Sequence, residues 1–229
     1  MADSLRALEA EVAECRRCPR LVQWLGEVRV HPRAAFRGEP YWCRPVPAFG
    51  PAGARLVIVG LAPGAHGANR TGRPFTGDGA GPFLYSALAR AGFANRPESV
   101  ARGDGLRLVD ARVTNAARCA PPGNRPTREE LERCGEFLAR ELALCRSARA
   151  VLCLGGVAWD AVLAALVRNG LPRPRPKPRF GHGAEADLGE GAPRLVGSYH
   201  PSQLNTNTGR LTAPMFDAVL ARAKRALDR

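Results

Sequence analysis

Between Leu56 and Leu84 an apolar, β-branched run breaks into a long glycine-rich loop and then resumes as a helix. LVIVG, from Leu56 to Gly60, reads as a buried parallel strand, and GPFLYSALARAG, from Gly81 to Gly92, as an amphipathic helix with a glycine just past its end. The loop between them is LAPGAHGANRTGRPFTGDGA, from Leu61 to Ala80. Open α/β sheets bind ligands at the carboxyl ends of their strands, and glycines let main-chain N–H groups come close to a substrate. The loop is therefore the expected active site.

Three further apolar runs read as strands, at Leu106 to Thr114, Ala150 to Leu154 and Arg194 to Ser198. Helical patterns fill the gaps at about 83–91, 127–144, 156–168 and 213–227, and Thr127 followed by Glu130 predicts a capping box for the second of these. The amino-terminal MADSLRALEAEVAEC has a helical period with Asp3 or Ser4 as N-cap, and its acidic residues exclude a signal peptide. Strands alternating with helices imply an α/β fold with a parallel sheet covered on both faces. Residues 25–54, rich in Pro, Gly, Arg and aromatics, read as an irregular lid near the sheet. LPRPRPKPR, from Leu171 to Arg179, cannot be helix or central strand because its alternate prolines lack donors, so an extended basic surface loop is expected.

At 229 residues with 45% hydrophobic content, one domain over 1–229 around one core is expected. No apolar run approaches the roughly 20 residues needed to cross a membrane, so a soluble, cytoplasmic protein is expected, and nothing suggests more than a monomer. The formal net charge of +13 suits a polyanionic partner such as nucleic acid, although an arginine-rich, lysine-poor composition also follows from a GC-rich genome.

Seven cysteines in a cytoplasmic chain argue against a disulfide framework. Cys15 and Cys18 form a C-x2-C pair, and Cys119 and Cys134 follow about a hundred residues later, with prolines near Cys18 and Cys119. Four thiolates suit either tetrahedral zinc or a [4Fe-4S] cluster. Cys153 reads as a small buried core residue, while Cys43 and Cys145 have no evident partner.

Asp78 is the one carboxylate of the glycine loop and stands at or just before the next helix, where the helix amino terminus favours its ionised form. An ionised Asp78 could orient a water or stabilise a developing cation; otherwise it is a plain helix cap. His200 follows the last apolar strand, so in a parallel sheet it shares an edge with the loop after Gly60, unless it only caps its own loop. Phe75 lies outside any apolar period and either stacks on a planar ligand or anchors the loop. Asn115 and Asn124 add amides at the same edge, able to read the donor and acceptor pattern of a pyrimidine.

Taken together, GEPYWCRPVPAFG at 38–50, GLAPGAHGANRTGRPFTGDGAG at 60–81, RCAPPGNRPT at 118–127 and SYHPSQLNTNTGRLT at 198–212 resemble the uracil-DNA glycosylase superfamily, most closely its iron–sulfur family 5. The resemblance implies a three-layer α/β/α sandwich with a short central parallel sheet. It also implies a structural [4Fe-4S] cluster on Cys15, Cys18, Cys119 and Cys134. The related family 4 carries a glutamate where Leu61 stands here and acidic residues near Gly67 and Ala68, which leaves Asp78 as the carboxylate that directs water. Family 5 often has a small residue at the position of Asn115, and asparagine there resembles the uracil-reading residue of family 4.

The implied activity is hydrolysis of the N-glycosidic bond of uracil and other deaminated bases in DNA, on a base flipped out of the stack. Asp78, His200 and Asn124 form the expected catalytic set, with His200 donating to the leaving base. Phe75 stacks on the base, and main-chain groups of Leu61, Ala62, Gly64 and His66, with Asn115 or Asn124, bond its edge. The loop from Gln203 to Arg210, with Leu204 at its tip, enters the minor groove, and Arg70, Arg73 and Arg210 meet phosphates. The alternative is a non-catalytic iron–sulfur protein of the same fold that binds DNA or senses redox state.

Overall fold

The computed structural model describes residues 3–228. Five strands, β1 (Leu56–Gly60), β2 (Ala111–Asn115), β3 (Ala150–Leu154), β4 (Glu185–Ala186) and β5 (Arg194–Ser198), form one sheet in the order β2-β1-β3-β5-β4. All pairs are parallel except the short edge strand β4, which runs antiparallel to β5. The central strands are buried on both faces because helices cover both.

The loop after β1 holds one helical turn, α3 (Ala68–Thr71), and alternation along β1 assigns the layers. Leu56 and Ile58 pack with Leu84 and Leu88 of α4 (Gly81–Arg90) and with Phe216 and Leu220 of α8 (Ala213–Arg225). Val57 and Val59 face the opposite layer, made by α1 (Leu5–Glu14), α5 (Arg128–Leu144) and α6 (Gly156–Arg168). This is the expected three-layer sandwich. The helices after β1 and β3 lie on opposite faces, so a crevice opens between those two strands at their carboxyl ends.

Three expectations need correction. Residues 25–54 are not wholly irregular: α2 runs over Pro19–Val30, with Pro19 in its first turn and Leu21, Leu25 and Val28 buried along one face. The second strand begins at Ala111 rather than Leu106, because Asp110 takes a left-handed turn (φ +55) and its carboxylate accepts from the Arg55 main chain at 2.9 Å and side chain at 2.7 Å. The start of the 203–210 loop is a helical turn, α7 (Gln203–Asn207), capped by Ser202. Ser4, not Asp3, caps α1, and the Thr127–Glu130 capping box forms as expected. Leu171 to Arg179 has no regular secondary structure.

Candidate active site

The carboxyl ends of β1, β2 and β5 open into one cleft of about 500 Å³, walled by Leu61, Ala62, Pro63 and Gly64, by Phe75 and Asp78, by Asn115 and Asn124, and by His200, Ser202, Gln203 and Leu204. That volume suits a ligand the size of a nucleoside. Gly60 is what allows it. A Cβ at Gly60 would stand 2.5 Å from both Phe75 Cζ and Asn115 Oδ1, so only glycine lets the ring and the amide meet over the strand end.

Phe75 is buried, at 6% exposure, with φ +51, a left-handed conformation that is costly for an aromatic residue. Its neighbours hold it there. Tyr85 Oη donates to the Pro74 carbonyl at 2.8 Å, and Arg73 Nε donates to Thr76 Oγ1 at 2.9 Å. The fixed ring lies 5.7 Å from the His200 ring, centroid to centroid, tilted by 32°.

Asp78 Oδ1 accepts from the main-chain N–H groups of Ala80 at 3.1 Å and Gly81 at 3.0 Å, just before α4 begins. The other oxygen faces glycines: a Cβ at Gly67 would come within 2.7 Å of Oδ2, and one at Gly64 within 3.5 Å. Burial outweighs the two N–H bonds and raises the Asp78 carboxyl above its ordinary value, against the expected helix effect. Burial lowers His200 to about 4, so its imidazole is neutral at pH 7 and can donate one N–H. Asn115 is 2% exposed and its Oδ1 has no hydrogen-bond partner among the described residues. A buried acceptor left open at the floor of a cleft is a place for a ligand donor.

Several expected contacts lie elsewhere. His66 is outside the cleft: its ring meets Tyr41 Oη at 3.0 Å and its carbonyl accepts from Arg70 Nε at 2.9 Å. Arg70 pairs with Glu39 and covers the Phe36 ring at 4.0 Å, so it staples the loop and does not reach for phosphate. Arg73 is 4% exposed and bonds both oxygens of Asp104, at 2.8 and 2.6 Å. A guanidinium so enclosed cannot reach a duplex. Arg210 is exposed beside the cleft, over the Tyr199 ring at 4.8 Å, and Asn124 sits at the rim with φ +57. Sequence reasoning missed Ser202 and Gly79; a Cβ at Gly79 would collide with the Gln203 side chain at 2.4 Å.

A second cavity lies beside the first. Cys15 closes α1, Cys18 opens α2, Cys119 follows β2 and Cys134 lies in α5, and all four line it. Arg17 Nε donates to Cys15 Sγ at 3.4 Å, and the Arg118 main chain to Cys134 Sγ at 3.2 Å. Among the described residues no three of His, Cys, Asp and Glu converge tightly enough to hold a single metal ion.

A sequence profile of the Uracil DNA glycosylase superfamily matches residues 47–224. The chain belongs to this superfamily. It is 52% identical over 225 residues to the type-5 uracil-DNA glycosylase of Mycobacterium bovis, covering 98% of this chain and 82% of that one. Against the type-5 uracil-DNA glycosylase of Thermus thermophilus it is 52% identical over 211 residues, covering 92% and 93%. The likeness to the type-4 uracil-DNA glycosylase of Archaeoglobus fulgidus, 40% over 111 residues, spans 48% of each chain. Similarity to type-5 uracil-DNA glycosylases thus runs through both cavities, and the chain is a member of that group.

Proposed function

We propose that this chain is a DNA glycosylase that removes uracil and related deaminated bases by hydrolysing the bond between base and deoxyribose. The observation that carries the reading is one cleft holding a carboxylate with an open oxygen, a neutral imidazole and a fixed aromatic ring. The extruded base stacks on Phe75, and the Asn115 amide bonds its edge. Asp78 Oδ1 is held by two N–H groups, while Oδ2 holds the attacking water, takes its proton and opposes the positive charge developing on the sugar. Water adds at C1′, the bond electrons leave with the base, and the neutral His200 N–H donates to the base oxygen as charge builds there. Leu204, 73% exposed at the tip of α7, fills the gap left in the stack.

The four cysteines fit a [4Fe-4S] cluster. Their thiols line one cavity where two helix ends, the segment after β2 and α5 meet, and N–H groups aim at two of the sulfurs. Held by these four residues, such a cluster would supply a covalent tie between the turn after α1, the segment after β2, and α5. Iron content and visible absorption of anaerobically purified protein test it, and a colourless protein with stoichiometric zinc refutes it. For the activity, enzyme in excess over a duplex carrying one uracil, followed by alkali, should cut the strand at that position; an intact strand sinks the reading.

A further inference from the structure

Four arginines of this chain are directed inward. Arg70, Arg73, Arg112 and Arg118 all meet carboxylates, and the last two share the buried Glu141. The segment from Leu171 to Arg179 does the opposite. Arg173, Arg175, Lys177 and Arg179 are all exposed, while Pro174 and Pro178 between them are partly buried against the protein. Among the described residues Arg173, Arg175 and Arg179 have no carboxylate partner, and Lys177 meets only the exposed Asp160, at 2.7 Å. An exposed pair of that kind is worth little and yields readily to a stronger anion.

The segment leaves the carboxyl end of α6 and returns along that helix to its start. There it is pinned: Trp159 Nε1 donates to the Pro178 carbonyl at 3.0 Å. The Phe180 ring lies 3.4 Å from where a Cβ on Gly156 or Gly197 would stand. Gly156 opens α6, and a Cβ at its neighbour Gly155 would lie 3.8 Å from His200 Cβ, so the pinned end abuts the cleft. Just beyond, His182 stacks on Tyr199 at 5.0 Å, and Arg210 covers the same ring at 4.8 Å. The pinned end of the strap is thus followed by the His182–Tyr199 stack and, over the same ring, by the cation of Arg210.

The geometry points to a phosphate rail: the strap from Arg173 to Arg179 grips the backbone of the duplex beside the flipped nucleotide, continuing the track of His182, Tyr199 and Arg210. The inference rests on the DNA-glycosylase reading. Its chemistry is sequence-independent, because side chains that meet only phosphates carry no base information. Prolines suit the task by limiting the conformations the strap gives up on binding.

The test uses an undamaged duplex, so it does not depend on excision. Binding of wild-type protein and of the Arg173→Gln/Arg175→Gln/Lys177→Gln/Arg179→Gln variant is followed by fluorescence anisotropy across a potassium chloride series. The expected result is at least a tenfold loss of affinity at low salt, with the slope of log K against log salt shallower by about 2–3.5, since each phosphate contact contributes roughly 0.9. The maximal single-turnover excision rate at saturating enzyme stays unchanged, as does the melting temperature. Equal slopes and affinities for the two proteins overturn the rail and leave the glycosylase reading intact. A wild-type protein that binds duplex with the expected slope difference but excises nothing sinks the glycosylase reading alone. Loss of the saturated rate also overturns the rail, because the strap then acts on chemistry.

Discussion

The cleft and the cysteine-lined cavity share an edge of the sheet and are joined by the segment from Asn115 to Cys119. Ala116 and Ala117 donate to the carbonyls of Gly60 and Leu61, both at 2.9 Å, and the next residue, Arg118, donates to Cys134 Sγ at 3.2 Å. The two sites follow opposite rules. In the cleft, burial leaves polar atoms open: among the described residues Asn115 Oδ1 has no partner and Asp78 keeps one oxygen free. Around the cysteines the groups are gathered for each other, from two helix ends, a loop and a third helix. Open polar atoms cost stability and suit a substrate; the thiols, through the proposed cluster, would tie the fold. Substitutions in the first should therefore change rate, and in the second, stability.

The largest expected effect is Asp78→Asn, which should lower single-turnover excision from a uracil duplex by about a thousandfold and change duplex affinity by less than about threefold. Equal losses in both would place Asp78 in binding. Next comes Cys134→Ala. Loss of the tie that the proposed cluster would make between α5 and the neighbouring segments should lower the melting temperature by about 10 °C, the equivalent of several kcal/mol in a chain of this size, while the excision rate per folded molecule stays within a fewfold. A rate loss without a stability loss would reverse the roles assigned to the two cavities.

His200→Ala should lower excision by about a hundredfold, by removing the donor to the leaving base. It should also change acid stability. With the folded-state value pushed down to about 4, neutral His200 gives stability that is complete above the ordinary histidine value near 6.5 and is lost as pH falls towards 4, by up to about 3 kcal/mol. The variant should lose less stability than wild type between pH 7 and pH 4.5 in urea titrations. The smallest effect is Asn115→Ala, which removes one hydrogen-bonding amide. Preference for uracil over hypoxanthine should shrink by about tenfold, measured on single-lesion duplexes.

Local patterning made the frame of the fold legible. β1, β3, β5 and α6 occupy the expected residues, because each is an apolar run bounded by a sharp change in composition. Leu21, Leu25 and Val28 of α2 keep a helical spacing, but Gly26 among them and Pro19 before them weaken its local signal. In the cleft, Asp78, Phe75, Asn115 and His200 come together because strand ends in a parallel sheet share an edge. Arg70 and Arg73 were misread for a plain reason. A sequence displays their charge but not the distant carboxylates, Glu39 and Asp104, that absorb it. The strain at Phe75 and the space kept by Gly60 depend on contacts that exist only after folding.

The most direct test is the pH dependence of single-turnover excision from a duplex with one uracil, for wild type and Asp78→Asn between pH 4.5 and 8. Burial raises the Asp78 carboxyl above its ordinary value, and the reaction needs its ionised form, so the wild-type rate should fall on the acid side through a single ionisation. The small residual rate of Asp78→Asn should be flat over the same interval. No excision by the wild type, or an acid limb that persists in Asp78→Asn, would contradict the account.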